Sequence, residues 1–121
     1  MDITPLIFQN KNLINGYEKG KFLVNNREYC GSIIIFPEEV VELSEFDINN
    51  RECFERFLIE GIEILLIGTG KARNTPNSSI KSYLAEQKGL NFEFMATGAA
   101  CRTHNILISE DRFVVTYLIA I

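Results

Sequence analysis

Ile62-Glu63-Ile64-Leu65-Leu66-Ile67, followed at once by Gly68-Thr69-Gly70, is the stretch on which the fold turns. An apolar run this nearly continuous has no polar face to offer water. It reads as a strand covered on both sides, as at the centre of a sheet with other elements above and below. Outward from it the period becomes helical. On the amino-terminal side Cys53, Phe54, Phe57 and Leu58 make an amphipathic stripe over about residues 50–60, with Gly61 where a helix C-cap belongs. On the carboxyl-terminal side Thr75-Pro76 opens a second helix, Thr75 as N-cap and Pro76 at the first helical position. Ile80, Tyr83 and Leu84 form its apolar face and Gly89 ends it. Residues 91–95 read as a strand, a short helix follows, and residues 113–119 close the chain with a β-rich run.

The first third reads as a hairpin. Residues 21–24 and 27–30 flank Asn25-Asn26, and asparagine tolerates the positive φ of a tight turn. The second arm passes through Gly31-Ser32, a bulge or bend, into Ile33-Ile34-Ile35-Phe36 and stops at Pro37. The acidic stretch Glu38-Glu39…Glu42…Glu45…Asp47 reads as a solvated loop or sheet edge, and its spacing is not that of a calcium loop. The order hairpin, α, β, α, β, α, β defines an α/β fold: a compact single domain, residues 1–121, with a β-hairpin layer packed on a mixed sheet flanked by helices.

Composition removes several function classes. With 46% hydrophobic and 23% charged residues the chain is globular, and a net charge of −4 without a basic cluster argues against nucleic-acid binding. No apolar run approaches the ~20 residues that span a bilayer. The start, Met1-Asp2-Ile3-Thr4-Pro5, is acidic and proline-broken, unlike a signal or transit peptide. Cys30, Cys53 and Cys101 are odd in number and widely spaced, without a CxxC pair, which argues against a disulfide framework or a zinc site, and one histidine cannot build a multi-histidine metal site. The expectation is a cytoplasmic protein with no metal and no cofactor.

Two stretches bear on chemistry. Gly68-Thr69-Gly70 after a buried strand invites a dinucleotide-binding reading. That motif needs a third glycine three residues on, at the start of a helix, and Arg73 stands there while Thr75-Pro76 delays the helix. The glycines therefore serve a sharp turn. In Thr97-Gly98-Ala99-Ala100-Cys101-Arg102-Thr103-His104-Asn105, Thr97 caps a helix whose first turn exposes backbone N–H groups beside very small side chains. Such a helix end suits an anion. Cys101 beside Arg102 in that turn favours a thiolate. Cys101 and His104, at i and i+3, share a helix face, but no third group orients them as a catalytic pair. The other reading of the same block is structural: a helix packed tightly on the sheet, with Cys101 a small core hydrophobe. The structural reading comes first; a ligand- or anion-binding site, if the block forms one, draws on Gly68, Thr69, Gly70, Thr97, Gly98, Ala99, Cys101 and Arg102, with no catalytic residues assigned.

These residues carry a resemblance. Phe22, Tyr29-Cys30-Gly31-Ser32, Pro37, Leu65-Leu66-Ile67-Gly68-Thr69-Gly70 and above all Thr97-Gly98-Ala99-Ala100-Cys101-Arg102-Thr103 with Asn105 resemble the family of small α/β domains that includes the mitochondrial respiratory complex I assembly factor 3, the adipogenesis-associated domain proteins and many bacterial relatives. The likeness covers nearly the whole chain. It implies a non-catalytic protein-binding module, an assembly factor for a respiratory NADH dehydrogenase whose partners are respiratory complex subunits. The alternative is a small ligand- or anion-binding protein, or an enzyme using the turn with Cys101.

Overall fold

A computed structural model describes residues 11–121; the proline-broken start at residues 1–5 lies outside them. Two sheets form the frame. Strands β1 (Ile14–Glu18), β2 (Lys21–Val24) and β3 (Arg27–Cys30) make a three-stranded antiparallel sheet. Its second turn is built as expected, with Asn25 and Asn26 at φ 53 and 63. The chain then leaves this sheet at Gly31, φ +76, a conformation glycine adopts without a Cβ penalty. Strands β4 (Ile33–Ile35) and β5 (Val40–Glu42) therefore belong to the other sheet, so the second arm of the hairpin continues around a corner rather than along one ribbon.

The five-stranded sheet has the order β5-β4-β8-β6-β7, where β6 is Ile64–Gly68, β7 Asn91–Met95 and β8 Val114–Leu118. Strands β6, β7 and β8 are parallel, and β4 is antiparallel to β8, so the sheet is mixed. Every residue of β6 and of β8 is buried, which confirms the covered central strand. The alternation of the strands sorts the core into two layers. Ile33, Ile35, Ile64, Leu66, Val114 and Leu118 face the three-stranded sheet and helix α3 (Thr97–Ser109). Ile34, Leu65, Ile67, Val115 and Tyr117 face helices α1 (Arg51–Glu55) and α2 (Ser78–Ala85). Burying such a side chain contributes about 1.5–3 kcal/mol, so both faces are needed to hold the sheet.

Local departures from the sequence reading have physical causes. Helix α1 begins where expected, capped by Asn50, whose side chain accepts from Glu52 N–H, but it lasts only to Glu55. Phe57 then drops between the rings of Phe54 and Tyr117, with centroids 5.9 and 5.6 Å away, and the chain tightens into three-residue turns. Gly61 lies well past the helix end and is no C-cap; a Cβ there would lie 3.3 Å from the Phe113 ring. Helix α2 starts at Ser78, not at Pro76. Asn77 caps it by accepting from Ile80 N–H, and Asn77 N–H is itself held by Asn49. The last helix, expected to be short, is the longest of the described residues at 13. Ile106-Leu107-Ile108, three apolar residues in succession, conceal its period in the sequence. The acidic stretch forms the sheet-edge strand β5, and Glu42 accepts from Cys30 N–H across the corner.

Candidate functional site

The two glycine-bearing turns meet at the carboxyl ends of the parallel strands, but they meet in direct contact. Thr97 is not an N-cap; that position is Ala96, with no side-chain cap bond. Instead the buried Thr97 hydroxyl accepts from Gly70 N–H at 2.9 Å and donates to Ile119 C=O at 2.7 Å, while Thr97 N–H donates to Gly70 C=O at 2.8 Å. One side chain thus staples the exits of β6 and β8 to the start of α3. A Cβ at Gly68 would lie 3.0 Å from Thr97 Cα and 3.1 Å from the Ala100 methyl. Glycine and alanine stand here because the helix crosses the sheet at backbone distance. Thr69 is spent on its own loop, donating to Ala72 C=O and accepting from Asn74 N–H. A Cβ at Gly98 would meet the Tyr17 hydroxyl at 2.5 Å, so β1 covers the first turn of α3. Ala99 is half-buried and Arg102 is exposed.

Cys101 corrects the thiolate expectation. It is buried, and burial pushes its thiol up to about 12, with the Arg102 charge only partly opposing the shift. A thiol in this state is neither a nucleophile nor a ligand at neutral pH. Native-state alkylation should therefore proceed first at the exposed Cys30, then at Cys53, and leave Cys101 unmodified until the protein unfolds. Cys101→Ser should cost about 2 kcal/mol in urea denaturation, because a hydroxyl enters an apolar site. Fast labelling of Cys101 in the folded chain would contradict its burial.

His104 and Cys101 do not form a pair. His104 Nε2 lies 2.8 Å from Asn12 C=O and Nδ1 lies 2.7 Å from the Thr116 hydroxyl. A carbonyl can only accept, so Nε2 carries the proton and Nδ1 accepts from Thr116. Burial lowers the imidazole's affinity for a second proton, and the Asn12 carbonyl opposes that shift. Asn105, next in sequence, grips β1 with both ends of its amide, Oδ1 accepting from Ile14 N–H and Nδ2 donating to Ile14 C=O, both at 2.8 Å. The distinctive block is thus an anchor that ties α3 to β1, β6 and β8. Asn12, Tyr17 and Thr116, which complete it, carry no signal in the sequence beyond their residue types.

A concave surface lies at the opposite end of the sheet, where β4 stops and β8 begins. One cavity, of about 250 Å³, is floored by Ile35, Ile108 and Val114, with His104 in its wall and Lys11, Asp111 and Arg112 at its rim. A second, lined by Phe36, Pro37, Glu38, Glu39, Ile59 and Phe113, shares Phe36, Pro37 and Phe113 with the first, so the two form one groove. None of these rim residues was singled out as a site residue in the sequence, because they come together only through the antiparallel pairing of β4 with β8. Among the described residues no group of His, Cys, Asp and Glu side chains is placed to hold a metal ion, and no helix is long and apolar enough to cross a membrane.

Fold and anchor together define a class. Residues 14–119 match the family described as protein of unknown function (DUF498/DUF598), and the chain belongs to that family. It is 32% identical over 100 residues, 79% of this chain and 80% of the relative, to a protein named 13 kDa major membrane protein in Francisella tularensis subsp. holarctica (strain LVS). It is 30% identical over 110 residues to the NADH dehydrogenase (ubiquinone) 1 alpha subcomplex assembly factor 3 of Xenopus tropicalis, covering 88% of this chain and 60% of that longer protein. Among solved structures it is similar to an outer membrane protein from Bartonella henselae, with TM-score 0.80 at 34% identity, covering 92% of this chain and 96% of the other. The resemblance read from the sequence therefore holds.

Proposed function

We propose that this chain is a non-catalytic protein-binding module that helps assemble a respiratory NADH dehydrogenase, complex I, with subunits of that complex as its partners. The observation that carries the reading is the likeness to the Xenopus assembly factor across 88% of this chain. The anchor supports it: the polar side chains of Thr97, His104 and Asn105 are all engaged within the fold. A ligand site at Gly68–Gly70 and Thr97–Arg102 is the weaker alternative, since those turns fill each other's space. Cytoplasmic placement belongs to the same reading, against the membrane names of two relatives.

Affinity capture of the tagged chain from its native cell, with mass spectrometry of the bound fraction, tests the assembly role. Subunits of a membrane-associated oxidoreductase should be enriched over background; enrichment of soluble metabolic enzymes alone would end it. Fractionation of the same cells tests the placement, which fails if the chain sediments with membranes and resists a high-salt wash.

A further inference from the structure

The groove at the β4–β8 end of the sheet has an apolar floor and, on its lip, two carboxylates outside any ion pair among the described residues, Glu38 and Glu39. Its two cations are already engaged: the Lys11 ammonium lies 2.7 Å from Asp111, and the Arg112 guanidinium 3.4 Å from Glu63. Glu38 and Glu39 are exposed and have no ion-pair partner among the described residues. Helix α3 points its carboxyl end at the same place, with no basic residue in its last turn and with Glu110 and Asp111 following it. The negative end of the helix dipole adds to the acidic side chains rather than offsetting them. On the far side of Glu38 and Glu39 lies a more polar concavity lined by Asn12, Asn25 and Arg27. The two carboxylates therefore stand on a ridge with an apolar cleft on one side and a wetter one on the other.

We propose that this groove receives a segment of a protein partner in which one or two bulky apolar side chains are flanked by lysine or arginine. The apolar side chains enter the cleft formed by Phe36, Pro37, Ile59 and Phe113. The flanking cations lie over Glu38 and Glu39. The occupant follows from charge. An anionic lipid surface or a nucleic-acid backbone is repelled by this lip. A second copy joined by a two-fold axis through the ridge sets the same carboxylates against each other, in a chain that already carries a net −4. This inference rests on the protein-binding reading above and adds the chemistry of the partner.

The test uses the whole chain and two fluorescein-labelled probe peptides, one placing leucine and phenylalanine between lysines, the other with every lysine replaced by glutamate. The lysine probe should bind about tenfold more tightly, because two rim charges each contribute a fewfold, and added salt should narrow the gap. Amide shifts in an NMR titration should cluster at residues 36–40, at Ile59 and at residues 108–114. Glu38→Lys with Glu39→Lys should reverse the preference. Both side chains are exposed, so the double variant keeps its fold. Equal binding of the two probes, shifts centred elsewhere, or self-association that the double variant abolishes would each overturn the proposal. Using the double variant as capture bait separates the two readings. If it enriches the same oxidoreductase subunits as the parent, the groove assignment falls and the assembly role stands. If the parent enriches none while the probe preference holds, the assembly role falls and the groove stands.

Discussion

Thr97→Val should lower the free energy of unfolding by about 3 kcal/mol, while Thr97→Ser should cost roughly 1 kcal/mol or less. Valine keeps the shape and deletes the hydroxyl. Two backbone groups then lose their partner, the buried Gly70 N–H and the part-buried Ile119 C=O, which in the parent meet the Thr97 oxygen at 2.9 and 2.7 Å. An unsatisfied buried polar group costs about 1–3 kcal/mol, and here the Gly70 N–H bears that cost in full while the Ile119 C=O adds a smaller share. Serine preserves both bonds and loses only a methyl. Urea denaturation of the three chains is the measurement. Equal stability of the valine and serine variants would show that the staple carries no weight. A loss confined to the valine variant would show that the hydroxyl, not the methyl, is what this position requires.

How far the fold could be read in advance depends on how local its causes are. The covered strand β6, strand β7 and the Asn25-Asn26 turn were legible because each is encoded within a few residues: an unbroken apolar run, a bounded β segment, two asparagines tolerant of positive φ. The short span of α1 was not legible, since it is decided by Phe57 packing on Tyr117, sixty residues away in the chain. The candidate site shows the same division. The sequence marks residues 97–105 as distinctive, and the structure brings Gly70 and Thr97 together at the strand ends. The sequence does not reveal whether the space between them is empty. That depends on the angle at which α3 crosses β6, and the Gly68–Ala100 approach closes it. The groove was invisible for a related reason: Phe36 and Phe113 are ordinary apolar residues until β4 and β8 are paired.

His104→Leu should cost about 3 kcal/mol at neutral pH and should also remove a specific pH dependence. Leucine fills most of the space but abandons the Thr116 hydroxyl and the Asn12 carbonyl, two groups that lie in or near the core between β8 and the entry to β1. The sign of the pH effect follows from the direction of the shift. Burial holds the folded imidazole below its ordinary value of 6.5, so the unfolded chain binds a proton first as pH falls. The stability associated with neutral His104 is therefore complete above about pH 6.5 and is lost progressively below it, toward the lowered folded value. The chain has only one histidine, so between pH 5 and 6.5 no other imidazole contributes. Glu63, held low chiefly by the N–H of Phe113, gives its own loss only below the ordinary carboxylate range near 4.5. Urea midpoints should fall from pH 7 to pH 5 in the parent and stay nearly level over that interval in His104→Leu. Parallel slopes in the two proteins would mean that His104 is not the buried neutral link between β1 and β8.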